Sequence, residues 1–298
     1  PVARLALIPV LILALLAGLA TPAAAGNGKG KKAETDAAGD AGKGNGQGKS
    51  DARAADAGLS NRRPQSDEYD PVRALGSMSN VVDQIGARSL WEGGYTGAGI
   101  AVAVSDTGVA PVPALMGADK VKAMVDLSFE AGVPEAIYLD TNGHGSYISG
   151  IIAGRDPGAD PATADQRPGE FLGVAPDAGI VSVKVGDNTG AVDVSQVIAA
   201  IDWVVQHRNE GDLNIRVINL SYGTDSSQDY RVDPLARAVE NAWDHGIVVV
   251  AASGNDGWNN GTGGMTNPAF DPYVIAVGAA EFTEREVTIP RWASAGDY

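Results

Sequence analysis

The sequence predicts an α/β fold with a mostly parallel central sheet flanked by helices. Two observations carry this. Short runs rich in β-branched apolar residues recur along the chain, and segments with apolar residues at helical spacing lie between them. Strands that alternate with helices pair in parallel, because each helix must cross back over the sheet before the next strand begins. A third observation concerns placement. The residues with chemical potential cluster just after the expected strands, and in open α/β sheets ligands bind beyond the carboxyl ends of the strands.

The expected strands are Ile100–Ser105, Ile180–Lys184, Val217–Leu220, Ile247–Ala252 and Val274–Val277. Asp193 can cap a helix, with Gln196 three residues on; Val194, Val197, Ile198, Ile201, Val204 and Val205 mark its buried stripe. A second helix begins at Asp233-Pro234, is expected to bury Leu235, Ala238, Val239, Ala242 and Trp243, and stops at Gly246. A third opens at His144, where Ser149, Gly150, Ala153 and Gly154 permit close packing.

Ahead of this folded part, from residue 71, lie two segments of different character. Arg4 precedes an apolar run from Leu5 to Leu19, followed by Thr21-Pro22-Ala23-Ala24-Ala25. The run is shorter than the ~20 residues of a membrane span and Pro9 interrupts it, so residues 1–25 read as a cleaved secretory signal and not as an anchor. Residues 26–70 are dominated by Gly, Ala, Lys and Asp, as in GNGKGKKAETDAAGDAGKGNGQGKS. With almost no large side chain to bury, they read as a disordered linker. The expected product is secreted.

Composition excludes several functions. The 298 residues carry a formal net charge of -15, which is wrong for a partner of nucleic acid, whose backbone calls for a basic face. There is no cysteine, hence no disulfide, thiolate metal site or catalytic thiol.

Three short motifs carry chemistry. Asp106-Thr107-Gly108 follows an apolar strand. One such tripeptide is half of an aspartic-protease dyad, but no second Asp-Thr/Ser-Gly follows a strand here. A phosphate-accepting aspartate would be joined by another two positions on, where Gly108 stands. A plain turn aspartate stays open on this motif alone. His144, between Gly143 and Gly145, sits where a helix dipole favours the neutral ring, whereas a nearby carboxylate would favour the imidazolium and fix the tautomer. His207 and His245 fall in the last turns of helices, where a cation is simply stabilising. Asn255, in Ser253-Gly254-Asn255-Asp256-Gly257, is a turn asparagine or a side-chain amide donor. Ser221-Tyr222-Gly223 and Gly190-Ala191-Val192 offer backbone to an extended peptide. Gly97-Ala98-Gly99 precedes a strand and so is no dinucleotide loop.

Taken together, the stretches TGAGIAVAVSDTGV, NGHGSYISGIIAG, GVAPDAGIVSVKV, VINLSYG, VVVAASGNDG and DPYVIAVGA resemble the subtilisin-like (subtilase) serine peptidases, most of all their secreted actinobacterial members. The resemblance runs from Trp91 to Ala279. It implies the subtilisin-like three-layer fold, with Asp106 as orienting acid, His144 as general base and Asn255 as oxyanion donor. It also places Ser221, Tyr222 and Gly223, with Ala252, Ser253, Gly254 and Gly190, along a cleft for a protein or peptide substrate. Removing the corresponding donor from a subtilisin costs about 10²–10³ in rate, a magnitude known for that enzyme and not obtained from this chain.

Three departures stand out. Ser146-Tyr147 replaces the family's usual Thr-His, with altered packing near the base as the expected consequence. Tyr222 replaces a leucine-like residue and is expected to reshape the pocket before the scissile bond. No Gly-Thr-Ser-Met-Ala occurs before Tyr298, so the expectation is the N-terminal part of a protease, cut before its nucleophile and inactive by itself; a non-catalytic binding module is the alternative. Residues 26–70 are too short and polar for a folded pro-domain. No cofactor is expected; family members often bind calcium, but the carboxylates here form no convincing ligand loop.

Overall fold

A computed structural model describes residues 70–117, 119–226, 228–255, 257, 264–282 and 286–294. The expected signal and linker, apart from residue 70, lie outside the described residues.

Six parallel strands form the central sheet: β1 (Ala101–Asp106), β2 (Val121–Asp126), β3 (Gly179–Lys184), β4 (Ile215–Leu220), β5 (Val248–Ala252) and β6 (Val274–Val277). Their spatial order is β2-β3-β1-β4-β5-β6. From β1 the chain crosses to the far edge for β2, comes back to place β3 beside β1, and then builds β4, β5 and β6 on the other side. This reversal opens a crevice at the carboxyl end of β1. A two-stranded antiparallel ladder, β7 (Glu281–Phe282) with β8 (Val287–Thr288), stands apart from the sheet.

The helices are α1 (Met78–Gln84), α2 (Ala87–Glu92), α3 (His144–Ala153), α4 (Val194–His207) and α5 (Pro234–Asp244). Alternation along the strands sorts them into layers. Ala101 and Ala103 of β1 join a core with Val197, Ile201 and Val204 of α4 and with Leu235 and Val239 of α5. Val102 and Val104 face the other way, onto Ile148, Ile152 and Ala153 of α3. β1 is buried along its whole length, as a central strand covered on both faces must be. Val197, Ile201 and Val204 are fully buried, each contributing about 1.5–3 kcal/mol. A third cluster packs Val81, Val82 and Trp91 of α1 and α2 against Ile151, Leu172 and Val174, and the Trp91 indole N–H donates to the Val174 carbonyl at 2.9 Å.

Local signals start the helices as expected. Asp193 caps α4 and Gln196 reaches back to its backbone N–H, a reciprocal capping box. Asp233 caps α5 through the N–H groups of Leu235 and Ala236, with Pro234 in the first turn. Two stripes need correction at their ends. Val194, in the first turn of α4, is exposed. Trp243 is also exposed and lies against the Tyr273 ring, while Ala236 takes a buried place on α5. Strand β2 has no sequence signal among the expected strands. Its residues are mostly half-buried because it forms the sheet edge, so it has no continuous apolar run.

Candidate active site

Asp106 ends β1, and His144 is the first residue of α3. The imidazole Nδ1 lies 2.8 Å from Oδ1 and 2.9 Å from Oδ2 of Asp106. The Asp106 side chain is only 3% exposed, whereas that of His144 is 40% exposed. The buried carboxylate also accepts the Thr107 N–H at 2.8 Å, which holds it in one orientation. An ionised carboxylate is acceptor-only, so Nδ1 carries the proton and donates. Nε2 is left as a bare acceptor, the tautomer a general base requires. The hydrogen bond to Asp106 raises the imidazole above its ordinary value; burial opposes this, and the charges of Asp106 and Asp140 add to it.

Gly145 permits this approach. A Cβ there would lie 2.2 Å from the Gly108 carbonyl oxygen, so the first turn of α3 rests directly on the backbone that follows β1. Gly143 supplies the left-handed entry, at φ 102°, which a side chain would strain.

Asp140 was not singled out from the sequence, yet it organises this corner. Its carboxylate accepts from Thr107 Oγ1 at 2.8 Å, the Asn142 N–H at 3.1 Å, the Gly143 N–H at 2.7 Å, and Ser146 N–H and Oγ at 2.8 and 2.6 Å. Burial pushes this carboxyl up, but the hydrogen bonds outweigh burial and hold it below the usual carboxylate value. Ser146, one of the departures noted above, also accepts the Ala110 N–H at 2.7 Å. Its hydroxyl therefore ties α3 to the loop after β1, while Tyr147 beside it is exposed.

The loop that delivers Asp140 is itself anchored from below. Lys184, the last residue of β3, is fully buried and donates to Glu130 Oε2 at 2.6 Å, the Leu139 carbonyl at 2.6 Å and the Ala136 carbonyl at 3.2 Å. Glu130 in turn accepts Thr141 Oγ1 at 2.7 Å and the Asn188 N–H at 3.1 Å. Asn142 bridges onward, its amide donating to the Asn188 carbonyl at 3.2 Å. The only sequence signal for Lys184 is that it interrupts the buried apolar run from Ile180 to Val185.

The remaining expected site residues fall on the same edge of the sheet. Ser221, Tyr222 and Gly223 follow β4, which pairs with β1, and Gly190 lies in the tight turn after β3. Thr224 then pairs with Asn267 through both backbone groups, at 2.9 and 3.1 Å. Ala252 ends β5, and Ser253-Gly254-Asn255 continues from it. β5 stands two strands from β1, roughly 10 Å away. Asn255 is exposed. Ser253 is buried; its N–H donates to the Val277 carbonyl at 2.9 Å, its hydroxyl to the Ser294 carbonyl at 3.0 Å, and its own carbonyl accepts from Thr266. His207 and His245 lie at helix ends, each with Nδ1 2.7 Å from a carbonyl one turn back, and His207 stacks on Trp203. Among the described residues no group of three or more His, Asp or Glu side chains could hold a metal ion. Among the same residues no helix is long and apolar enough to cross a membrane.

Comparison with known proteins agrees with this geometry. The profile of the Subtilase family matches residues 97–294. The chain is 35% identical to serine protease AprX of Bacillus subtilis over 189 residues, covering 62% of this chain and 39% of that protein. It is 32% identical to the minor extracellular protease Epr of the same organism, covering 72% of this chain and 28% of Epr. Against subtilisin E, also from B. subtilis, it is 32% identical over 225 residues, covering 74% of this chain and 50% of that protein. The chain thus spans half or less of the length of these curated relatives. An acid and a base meet at the switch point of a six-stranded parallel sheet, and the family profile covers well over half the sequence: the chain belongs to the subtilase family of serine peptidases.

Proposed function

We propose that this chain is the acid- and base-bearing part of a secreted serine endopeptidase acting on protein or peptide substrates. The observation that carries the reading is the His144 ring, with Nδ1 committed to the buried Asp106 carboxylate and the side chain otherwise open to the crevice.

In this reading a serine from the longer polypeptide attacks the scissile carbonyl. His144 Nε2 takes the serine proton, and Asp106 stabilises the imidazolium that forms. The carbonyl oxygen gains charge in the tetrahedral intermediate, and the Asn255 amide donates to it. Collapse expels the amine, which receives the proton from His144 and leaves an acyl-enzyme for water to cleave. The substrate lies extended beside Ser221, Tyr222 and Gly223 on one side and Ala252 and Gly254 on the other, with Gly190 at the rim. Secretion rests on the apolar run Leu5–Leu19 and its small-residue flank.

The test begins with the source DNA. A Gly-Thr-Ser-Met-Ala-like codon run in frame beyond Tyr298 supplies the missing nucleophile. The full polypeptide should then hydrolyse peptides and be labelled by a serine-directed phosphonate, and His144→Ala should abolish both. A frame that continues without that serine makes the cleft a binding surface, and the enzyme reading fails.

A further inference from the structure

We propose that Asp140 is a positioning residue of this site, its carboxylate locking the start of α3 to the end of β1 so that the His144 ring is held against Asp106. The proposal rests on the peptidase reading only for its catalytic consequence; the geometry stands without it.

Asp106 and His144 lie 38 residues apart, on elements that must be kept in register by something besides their own contact. Two oxygens of one carboxylate provide this. Oδ1 accepts Thr107 Oγ1, next to Asp106 on the β1 side, and also the Gly143 N–H on the α3 side. Oδ2 accepts both the backbone and the side chain of Ser146. Thr107 Oγ1 completes the link by accepting the Gly145 N–H at 2.9 Å. The carboxylate also meets otherwise unsatisfied N–H groups in the first turn of α3, where negative charge is favourable. A simple helix cap would need only those N–H groups. The bond to Thr107 and the second bond to Ser146, whose hydroxyl also holds Ala110, are what make this a bridge between strand and helix.

Charge follows from position. The charged groups acting on His144 are Asp106, from β1, and Asp140, from the loop ahead of α3; both favour the imidazolium. Asp140 therefore steadies the ring's geometry and supports the charge the ring acquires when it takes a proton.

The test follows the NMR titration of His144. In Asp140→Asn, the His144 titration should move to lower pH. Thr107→Val keeps both carboxylates but removes the bridge. It should accelerate solvent exchange of the His144 Nδ1 proton, and it serves as the second variant if Asp140→Asn does not fold. In the full polypeptide, Asp140→Asn should lower kcat by up to about 100-fold, because shifting a catalytic group by about 1 Å can cost that much, with little change in KM. Asp140→Glu, which keeps the charge, should restore part of the titration shift. An unmoved His144 titration in folded Asp140→Asn, or unchanged Nδ1 proton exchange in Thr107→Val, overturns the proposal. Because these readings need no turnover, an absence of peptidase activity with the titration shift present sinks only the peptidase reading. Activity with an unmoved titration sinks only the role of Asp140.

Discussion

Replacing Gly145 by alanine asks whether the contact between α3 and the end of β1 sets the geometry of the Asp106–His144 pair. The new methyl carbon would lie 2.2 Å from the Gly108 carbonyl oxygen, 2.9 Å from the Gly108 nitrogen and 3.1 Å from the Thr107 nitrogen. All three neighbours are backbone, so no side chain can swing aside. Carbon and oxygen rest in contact at about 3.3 Å, so the helix must retreat by roughly 1 Å. The same retreat would stretch the 2.8 Å Asp106–His144 bond toward roughly 3.8 Å, beyond hydrogen-bond range. Overpacking of this kind costs about 1–3 kcal/mol. For a folded part of this size, each kcal/mol lowers Tm by about 2–4 °C, giving a loss of roughly 2–12 °C. Two assays apply to purified Gly145→Ala: a thermal melt, and the His144 NMR titration, which should fall back toward the ordinary histidine value. A melt and a titration both indistinguishable from the wild type would refute the reasoning, because the methyl would then have been accommodated without moving the helix.

The other predictions concern pH, the buried lysine and a helix cap. The folded state raises the His144 pKa above its ordinary 6.5, so it binds that proton more tightly than the unfolded chain does. The resulting stabilisation is full below the unfolded value and is lost as pH rises through the folded one. Urea unfolding should show the wild type's advantage over His144→Ala shrinking from acid toward alkaline pH; an advantage that grows reverses the assigned sign. Lys184→Met leaves Glu130 without its buried partner and frees the Ala136 and Leu139 carbonyls, at a cost of about 3–5 kcal/mol. Hydrogen exchange should show protection lost from residues 128–141 first. Asp233→Ala removes two cap bonds of α5 and the Asn267 amide contact at 3.3 Å. It should cost about 0.5–2 kcal/mol, read as a lower urea midpoint at unchanged slope.

Several features of this protein are written in its local sequence. Runs such as Ile247–Ala252 announce a strand because a strand covered on both faces is apolar throughout. Asp193 with Gln196, and Asp233 with Pro234, announce helix starts because capping satisfies N–H groups within three residues. Asp106 and His144 stand out in the sequence because each sits in a short motif whose backbone form, strand end or helix start, is itself encoded nearby.

Other features were decided only when distant segments met. β2 has no clean periodicity because an edge strand needs none, and Trp243 follows its helical stripe yet finds Tyr273 at the surface in place of a core. Asp140 carries no local signature, and Lys184 only the break it makes in an apolar run. An aspartate in a loop and a lysine at a strand end are common surface residues. Their roles come from partners 33 residues away in one case and 45 to 54 in the other. The sequence alone determined which backbone shapes form and that Asp106 and His144 sit at a strand end and a helix start. The tertiary structure decided how far apart the carboxylate and the imidazole stand, because that distance depends on hydrogen bonds and close contacts made across elements, which no local pattern specifies.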